Sequence, residues 1–565
     1  MNKRFLFYSL LDFMYFSTIF KHITMKQFFN FCFLIIGTII HAQTVGTIQY
    51  NTDTFEGYSI VHPVTFHTTY LINNCGRIIN QWPNQFSNST FAEITENGTL
   101  IRTSVDPNAV HFTAGGAAGI IQELNWNGDI IWQHTISNGN YRLHHDMEIL
   151  PNGNLLVIAW ELKNVLDCTA AGRIPGTLPN NELWPTVIYE LQPTYPSGAN
   201  IVWEWHAWDH LVQDHNQQNA NYGNIQSNFR RIDINKGNTN NVADWAHVNG
   251  IHYNAELDHI ILSSPTFNEI WIIDHSTSTA EAASSNGGNS GHGGDLLWRW
   301  GNPASYNSGT SQDQQLFFQH DPQWVQAGTR FNQHISVFDN RNSVNGQFTS
   351  MAKVLEIPYN EASNSYPMEQ GLFLPLAPEY TYNLPTELFS PRVSGVQVLP
   401  NDNILIASGS NGHAIEINAN DQILWQYKVP ITQGGDIVEQ GTDLNHAMDI
   451  FKMKRYTTDY VGFIGKDMTP QTTIETNPVE CNQILGNEQY QVTNNTLQVV
   501  PNPATTTFTV HGVQPKSLIT IVDVLGRIKY NYTASSTTQS IDTATWSKGI
   551  YFLKHQNKTT KIIVQ

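Results

Sequence analysis

Short apolar runs alternate with turns of Pro, Asn, Gly and Asp along most of the chain, which predicts β-strands joined by tight turns. One pattern recurs six times: a leading polar residue, an apolar strand, a turn such as the one at residues 151–153, and a second apolar strand. Its copies begin at Thr90, His145, His247, His320, Ser394 and His446. A second pattern, an outer hairpin whose last strand carries Ile-Trp or Leu-Trp, alternates with the first. Six inner strand pairs and six outer hairpins predict an all-β fold, a six-bladed β-propeller over residues 43–468.

The order of the two patterns predicts how the ring of blades closes. An outer hairpin comes first along the chain, from Tyr70 to Trp82, and an inner pair comes last. We therefore expect this first hairpin to complete the blade that His446 begins.

Both ends of the chain carry segments of a different kind. Lys26 and the apolar run Phe28–Ile40 are typical of a secretory signal peptide cleaved after Ala42, which makes residues 1–42 a leader with its start at Met25. The run is shorter than the ~20 residues that a membrane span needs, so we expect no membrane span.

Residues 469–496 are polar and irregular, as expected of a linker. Residues 497–565 alternate apolar and polar positions between Pro and Gly breaks, which predicts a small C-terminal β-sandwich. With its PNPA start, DVLGR middle and GIYF end, this stretch resembles the C-terminal sorting domain of type IX secretion substrates. The resemblance implies that the type IX secretion machinery is a partner and that the protein is secreted or reaches the cell surface.

Composition narrows the classes of partner. The formal charge is 29 − 47 = −18, which disfavours nucleic acid and anionic lipid as partners. Charged residues make up only 13 % of the chain and hydrophobic residues 40 %, which excludes disorder and coiled coil. The four cysteines have no CxxC spacing, so we expect neither a disulfide framework nor a structural zinc site, although one disulfide is compatible with them.

The leading residues of the inner strands are the candidate site. In a propeller these residues meet at one mouth of the central channel, so His145, His247, His320 and His446 should converge. Converging imidazoles support either metal binding or direct action on a substrate, as nucleophile and proton donors. The amide of Asn249, two residues after His247, suits an anion better than a cation, and no acidic cluster recurs there. We therefore expect no metal and no other cofactor.

With these residues the chain resembles the arylsulfate sulfotransferase family, through DWAHVNGI and QHDPQW above all, and through LHHDMEILPNGNLLVI and GDLLWRWGNP. The resemblance implies a secreted or periplasmic six-bladed propeller that moves a sulfuryl group between phenols without a nucleotide donor. It places the transiently sulfated histidine at His320, its two assisting histidines at His145 and His247, and the amide at Asn249.

Further polar residues near the same rim are expected to bind substrate, namely His446, Arg392, His144 and Ser394. One departure from the family pattern bears on this: the family has an arginine where this chain has Pro265, after Ser263 and Ser264. Arg392 or Arg142 would have to replace that sulfate clamp.

The leading interpretation is an exported aryl sulfotransferase acting on small aryl sulfates and phenols, with Phe318, Trp245 or Trp324 as candidates to stack on the phenol. Packing between blades is the simpler interpretation of each of these aromatic residues. Two other functions stay open at this point: a four-histidine metal-dependent propeller enzyme, and a non-catalytic propeller that binds glycans or proteins at the surface.

Overall fold

The structure is a computed structural model that describes residues 43–237, 242–479, 481, 498–511, 513, 517–524, 526–534, 538–555 and 558–565. The predicted leader, residues 1–42, lies outside the described residues, as does the later part of the predicted linker. The chain divides into two compact units, Met1–Ile484 and Leu485–Gln565. Both units are built from β-strands, which confirms the all-β class.

Six antiparallel sheets follow one another through the first unit. In sheets 1 to 4 the strands lie in chain order and neighbours are joined by hairpins or longer loops. Sheet 1 consists of Asn88–Ile94, Leu100–Val105, Gly119–Leu124 and Ile130–Thr135. Sheet 2 consists of Tyr141–Ile149, Leu155–Glu161, Thr186–Pro193 and Ala199–His206. Sheet 3 consists of Gly250–Asn254, His259–Ser264, Glu269–Asp274 and Trp298–Trp300. Sheet 4 consists of His320–Trp324, His334–Val344, Gln347–Glu356 and Tyr380–Asn383.

The last two sheets combine strands from both ends of the unit. Sheet 5 consists of Gly395–Val398, Ile404–Ser408, His413–Ile417 and Ile423–Lys428, with Gly46–Tyr50 added at its outer edge. Sheet 6 consists of Arg455–Thr457, Gly57–Val61, Thr68–Asn73 and Ile78–Pro83. The hairpin from Tyr70 to Trp82 therefore shares a sheet with a strand from the end of the repeats, and this part of the prediction is confirmed.

The start of that last strand differs from the prediction. It begins at Arg455, and His446 lies in the preceding loop. The apolar residues that follow His446 are buried between sheets 5 and 6 without forming a strand, among them Ala447, Met448 and Ile450. Loop packing thus produces the same apolar pattern that a strand would.

Neighbouring sheets contact one another at their first strands. The first strands of sheets 1 to 5 pack in succession. Gln397 of sheet 5 exchanges two hydrogen bonds with the backbone of Arg455 in sheet 6, at 2.8 and 3.0 Å. The Tyr456 hydroxyl of sheet 6 accepts the backbone N–H of Ile94 in sheet 1 at 2.8 Å. These contacts run through all six sheets and return to the first.

The last strands repeat a second contact between sheets. An aromatic side chain on each last strand donates a hydrogen bond to the outer connection of the next sheet. The tryptophan N–H donors and their carbonyl acceptors are Trp82 to Asn125, Trp132 to Gly198, Trp205 to Gly294, Trp298 to Leu374 and Trp425 to Asn74, at 2.8–3.1 Å. In sheet 4 the hydroxyl of Tyr380 does the same toward the carboxylate of Asp421. Buried indoles need such partners, and these fasten each sheet to the next.

Short elements fill the connections between strands. Among the described residues, the α-helices are Val165–Ala170 and Thr279–Ala282, and the 3-10 turns are Pro179–Asn181, Ala207–His210, Gln226–Asn228, Pro303–Tyr306, Thr386–Leu388, Gly409–Asn411 and Val461–Phe463. Two-residue strands pair as Lys163–Asn164 with Glu182–Leu183, Leu211–Val212 with Ile232–Asp233, and Met368–Glu369 with Leu372–Phe373. Within the described part of the chain, no helix has the length and apolar character to cross a membrane.

The segment after sheet 6 packs back on the first unit. The backbone N–H of Gln471 donates to the carbonyl of Ile78, and the N–H of Ile78 donates to the carbonyl of Thr472, each at 2.8 Å. Cys75 and Cys481 form a disulfide with their Cα atoms 5.4 Å apart, and Cys168 is a buried free thiol. The first residues of the predicted linker are therefore held on sheet 6.

The second unit contains two small antiparallel sheets. One consists of Gln498–Val500, Thr507–His511 and Thr538–Asp542. The other consists of Ile528–Thr533, Leu518–Asp523, Gly549–His555 and Lys558–Val564. Phe508 and Val510 of the first sheet share one apolar core with Ile519 and Leu553 of the second.

A partly buried imidazole between two carboxylates joins sheets 2 and 3 and predicts a pH-dependent stability. Nδ1 of His275 lies 2.7 Å from Asp258, and Nε2 lies 3.1 Å from Glu190. Burial alone would lower the pKa of His275, but the hydrogen bonds to both carboxylates raise it to about 9. A raised folded-state pKa stabilises the protein fully below the unfolded-state pKa, near 6.5, and the stabilisation is lost as the pH rises through about 9.

We expect His275→Gln to lower the free energy of unfolding by up to about 3 kcal/mol at pH 6 and by much less at pH 10. Denaturant unfolding of both proteins at the two pH values measures this difference. A deficit of equal size at pH 6 and pH 10 would contradict the proposed role of the charged imidazole.

Candidate active site

Three of the predicted histidines lie together: His145 within the first strand of sheet 2, His247 three residues before the first strand of sheet 3, and His320 at the start of the first strand of sheet 4. The rings of His145 and His247 are 4.5 Å apart and nearly perpendicular. Phe451 lies 6.2 Å from the ring of His145 and 6.0 Å from that of His320. Phe318 lies 6.2 Å from the ring of His247 and 6.1 Å from that of His320. We refer to these five residues as the histidine cluster.

Irregular backbone at or next to the three histidines orients their side chains. In sheet 2, Val157 pairs with Met147 and Ala159 pairs with Leu143, so three residues including His145 face a single residue. The strand that begins at His320 shifts register in the same region. His145 and His247 also have positive φ angles, 54° and 47°. Bulges and positive φ at non-glycine residues concentrate where a strand must redirect a side chain into a site.

His247 is held by a carboxylate at one nitrogen and is open at the other. Its Nδ1 forms a short hydrogen bond with Asp244, whose second oxygen accepts the indole N–H of Trp160 at 2.8 Å. Burial would raise the pKa of Asp244, but the interaction with His247 lowers it overall. The His247 side chain is 18 % exposed, and its Nε2 has no hydrogen-bond partner among the described residues.

His320 uses both ring nitrogens. Its Nδ1 donates to the amide oxygen of Asn340 at 2.7 Å, and its Nε2 accepts the backbone N–H of Val393 at 3.1 Å. The amide nitrogen of Asn340 in turn donates to the carbonyls of Ser390 and Val393. Burial lowers the pKa of His320 to about 3, against the opposing effect of the hydrogen bond to Asn340, so the ring is neutral.

His145 is backed by His144. Their Nδ1 atoms are 2.8 Å apart, and His144 stacks on Trp160 with ring centroids 4.0 Å apart. Burial lowers the pKa of His144 to about 3, and burial together with His247 lowers that of His145 well below its ordinary value. His144 therefore lies behind the cluster and supports His145.

A buried lysine joins the residues that follow two of the histidines. Nζ of Lys452 lies 3.0 Å from Asp146 and 3.4 Å from Asp321. The same carboxylates accept the backbone N–H groups of Ile251 and Val396 in the neighbouring sheets. Burial alone would lower the pKa of Lys452, but the carboxylates raise it, so the ammonium group stays charged.

Three other predicted site residues lie outside the histidine cluster. His446 is exposed, and Phe451 rather than His446 contacts His145 and His320. Ser394 is fully buried, donates to the Ser390 hydroxyl and accepts the N–H of Gly409. The amide of Asn249 donates to the carbonyl of Gln319 at 3.0 Å and so links sheet 3 to the residue before His320.

The two arginines considered as replacements for the missing clamp are engaged elsewhere. Arg392 forms an ion pair with Asp449 at 2.9 Å. Arg142 is buried and donates to the backbone carbonyls of Phe112 and Ala118.

Arg341 is a cation at the cluster that the sequence did not single out. Its guanidinium carbon lies 3.6 Å from the centroid of Phe318, and its Nε donates to the carbonyl of Pro391 at 2.8 Å. Its charge is one of the influences that lower the pKa of His320, and its side chain is exposed. Arg341 lies on the second strand of sheet 4, outside the motifs that the sequence analysis identified. By contrast, Asp244 was visible in DWAHVN, three residues before His247.

The chain belongs to the arylsulfotransferase (ASST) family, whose profile matches residues 94–430. A secretion system C-terminal sorting domain matches residues 498–565 and points to secretion or export to the cell surface. No curated protein matches the chain.

Solved structures similar to this chain are distant. A Bacteroides caccae protein of unknown function is 12 % identical, with 71 % of this chain and 98 % of that chain covered and a TM-score of 0.36. An inactive variant of virginiamycin B lyase from Staphylococcus aureus is 9 % identical, with 69 % of this chain and 89 % of that chain covered and a TM-score of 0.31.

In the described residues, no group of three or more His, Cys, Asp or Glu side chains is arranged to hold a metal ion.

The backbone of Gly116 covers His145, which predicts a sensitive position. A Cβ atom added to Gly116 would lie 2.3 Å from Nε2 of His145, and the residue has a φ of +74°. Gly153 is the matched control, because its φ is +84° and an added Cβ would meet nothing within 4 Å.

We expect Gly153→Ala to lower the free energy of unfolding by about 1 kcal/mol, the effect of the positive φ alone. Gly116→Ala should lower it by a further 1–3 kcal/mol or so, because the methyl group must displace His145. Denaturant unfolding measures both. Equal losses in the two variants would mean that the segment at Gly116 does not rest on His145.

Proposed function

We propose that this protein is an exported aryl sulfotransferase that moves a sulfuryl group from an aryl sulfate to a phenol through a sulfated histidine, without a nucleotide donor. The observation that carries the proposal is the meeting of His145, His247 and His320, three imidazoles from three sheets that lie on the motifs of the family. Family membership supports sulfuryl transfer as the class of reaction.

We also propose that the six sheets are the six blades of a propeller. Two repeated contacts support this arrangement: the succession of first strands that returns to sheet 1, and the aromatic hydrogen bonds that fasten each last strand to the next sheet. In this arrangement the histidine cluster lies at one mouth of the central channel.

The lowered pKa values of His145 and His320 suit this chemistry. An imidazole whose pKa lies far below 7 keeps its lone pair at neutral pH and can act as a nucleophile or base. In the first half-reaction a ring nitrogen bonds to sulfur as the bond from sulfur to the phenolic oxygen breaks, and the phenolate leaves with the electron pair. In the second, an acceptor phenol gives its proton to the released phenolate or to solvent, its oxygen bonds to sulfur, and the electron pair of the N–S bond returns to the nitrogen. The family motif assigns the attack to His320, with His145 and His247 assisting.

Charge and shape around the cluster fit an aryl sulfate. Arg341 supplies positive charge beside Phe318, and charge-assisted N–H donors are suited to the oxygens of a sulfate ester. Phe318 and Phe451 present aromatic rings between the histidines, where the phenol would lie. The proposed leader, residues 1–42, and the C-terminal sorting domain would carry this activity outside the cell.

The mature protein should release yellow p-nitrophenol from p-nitrophenyl sulfate in the presence of phenol. We expect His320→Ala, which removes the proposed nucleophile, to lower kcat by about 10³-fold or more. His446→Ala, at an exposed histidine outside the cluster, should stay within about twofold of the wild type. Wild-type protein with no turnover would leave a binding module. Turnover that follows bound metal in elemental analysis would favour a metal-dependent enzyme.

We expect Arg341→Gln to raise KM for p-nitrophenyl sulfate about tenfold or more, because a hydrogen bond to a charged group contributes about 1.5–3 kcal/mol. Arg392→Gln is the matched control: its guanidinium is paired with Asp449, so KM should change by less than about threefold. Steady-state kinetics with a fixed phenol concentration give both values. A larger effect at Arg392 would assign the clamp to that residue.

A further inference from the structure

We propose that the site selects phenols that carry a second aromatic ring, and that this ring binds on one face of the hairpin formed by the second and third strands of sheet 4. The inference rests on the proposed function and names its class of substrate. The hairpin consists of His334–Val344 and Gln347–Glu356, and the face carries Arg341, Ser343 and Phe348. We refer to these three residues as the hairpin face.

This hairpin extends beyond the start of its sheet. Its strands have 11 and 10 residues, whereas the second and third strands of the other five sheets have five to eight. His320, the first residue of the sheet, pairs with Phe338, so residues 339–344 continue past the histidine. A strand rises about 3.3 Å per residue, so this extension reaches up to about 20 Å beyond His320.

A bulge at the base of the extension joins the hairpin to the histidine cluster. The register shifts at Asn340 and Arg341, which both lie opposite Ser350. The amide oxygen of Asn340 accepts the Nδ1–H of His320, and the guanidinium of Arg341 lies over the ring of Phe318. The inner end of the hairpin face is therefore in direct contact with the cluster.

Phe348 continues the same face outward. It lies two residues before Ser350 and opposite Ser343, and alternate residues of a strand share a face. Its ring is stacked on that of Phe389, with centroids 6.1 Å apart and 26° between the planes. Phe389 belongs to the loop that leads to sheet 5, and Ser350 donates to the carbonyl of Ser390 in the same loop. Phe348 is nevertheless 67 % exposed, so most of its surface is open to a ligand.

The order of groups along the face fits a sulfate ester with an extended aryl group. Arg341 supplies positive charge at the inner end, and residues 342–350 contain no charged side chain. In an in-line displacement at sulfur, the aryl oxygen departs on the side opposite to the entering nitrogen, so the aryl group extends away from the nucleophile. The first ring lies beside Phe318 and Phe451, and a second ring attached to it lies on Phe348. The second ring forms no bond in the reaction and acts only on binding.

Two acceptors of matched reactivity test the inference. 4-Methoxyphenol and 4-(benzyloxy)phenol carry the same kind of para-alkoxy substituent, and only the second has an additional ring. Steady-state kcat/KM for each acceptor is measured with the full chain and a fixed concentration of p-nitrophenyl sulfate. The ratio of the two values does not depend on the fraction of folded protein, so a variant that folds less well still gives a valid result.

We expect the wild type to prefer 4-(benzyloxy)phenol by about tenfold or more in kcat/KM, because stacking on an exposed ring and burial of apolar surface both favour it. Phe348→Ala should reduce this preference to about twofold or less and leave kcat/KM for 4-methoxyphenol within about twofold of the wild type. Phe348→Tyr keeps the ring and should keep the preference.

Tyr195→Ala is the matched control, because Tyr195 is 61 % exposed and lies in sheet 2, outside the hairpin; its preference should equal that of the wild type. Equal use of the two acceptors by the wild type, or a preference that survives in Phe348→Ala, would overturn the inference, while transfer to 4-methoxyphenol would leave the proposed function intact. Wild-type protein that releases no p-nitrophenol with either acceptor would remove both.

Discussion

The ammonium group of Lys452 lies between the carboxylates of Asp146 and Asp321, and the positions of two site histidines depend on this contact. Each aspartate directly follows a histidine, His145 or His320, so the lysine holds the chain next to both histidines. Both carboxylates are buried, and the Lys452 side chain is 11 % exposed. Removal of one partner from such an arrangement leaves an uncompensated buried charge, which destabilises a protein by about 3–5 kcal/mol. The contact therefore couples the geometry of the site to the stability of the sheets around it.

The tryptophans also link the geometry of the site to the packing of the sheets. The last strands of five sheets use indole N–H groups to contact the next sheet, whereas Trp160 uses its N–H to hold Asp244 and its ring face to hold His144. One residue of sheet 2 thus positions the carboxylate behind His247 and the imidazole behind His145. These tryptophans serve both purposes because a buried indole contributes packing area and a directed donor.

Much of the fold and part of the site could be predicted from the sequence. The alternation of apolar runs and turns predicted the strands, and the repeat order predicted the sheet shared by the two ends of the first unit. The sixth repeat was placed incorrectly because an apolar loop packed in the core has the same pattern as a strand, so that Phe451 occupies the place expected for His446. Arg341 and the partner of Cys75 could not be predicted, because each contact joins segments that only the folded chain brings together. The hydrogen bond from Val393 to His320 is likewise a backbone contact without any side-chain signal.

The site combines buried, neutral imidazoles with a positive charge at its exposed edge. The imidazoles of His144, His145 and His320 are neutral because burial lowers their pKa values, so none of them carries a positive charge to an incoming anion. In a protein with a formal charge of −18, that charge must come from a cation that is still solvated. Arg341 meets this requirement, since it lies against Phe318 at the exposed edge of the cluster, and its charge in turn helps to keep His320 neutral. We therefore propose that this cation, on the second strand of sheet 4, takes the place of the arginine that the family pattern has at Pro265.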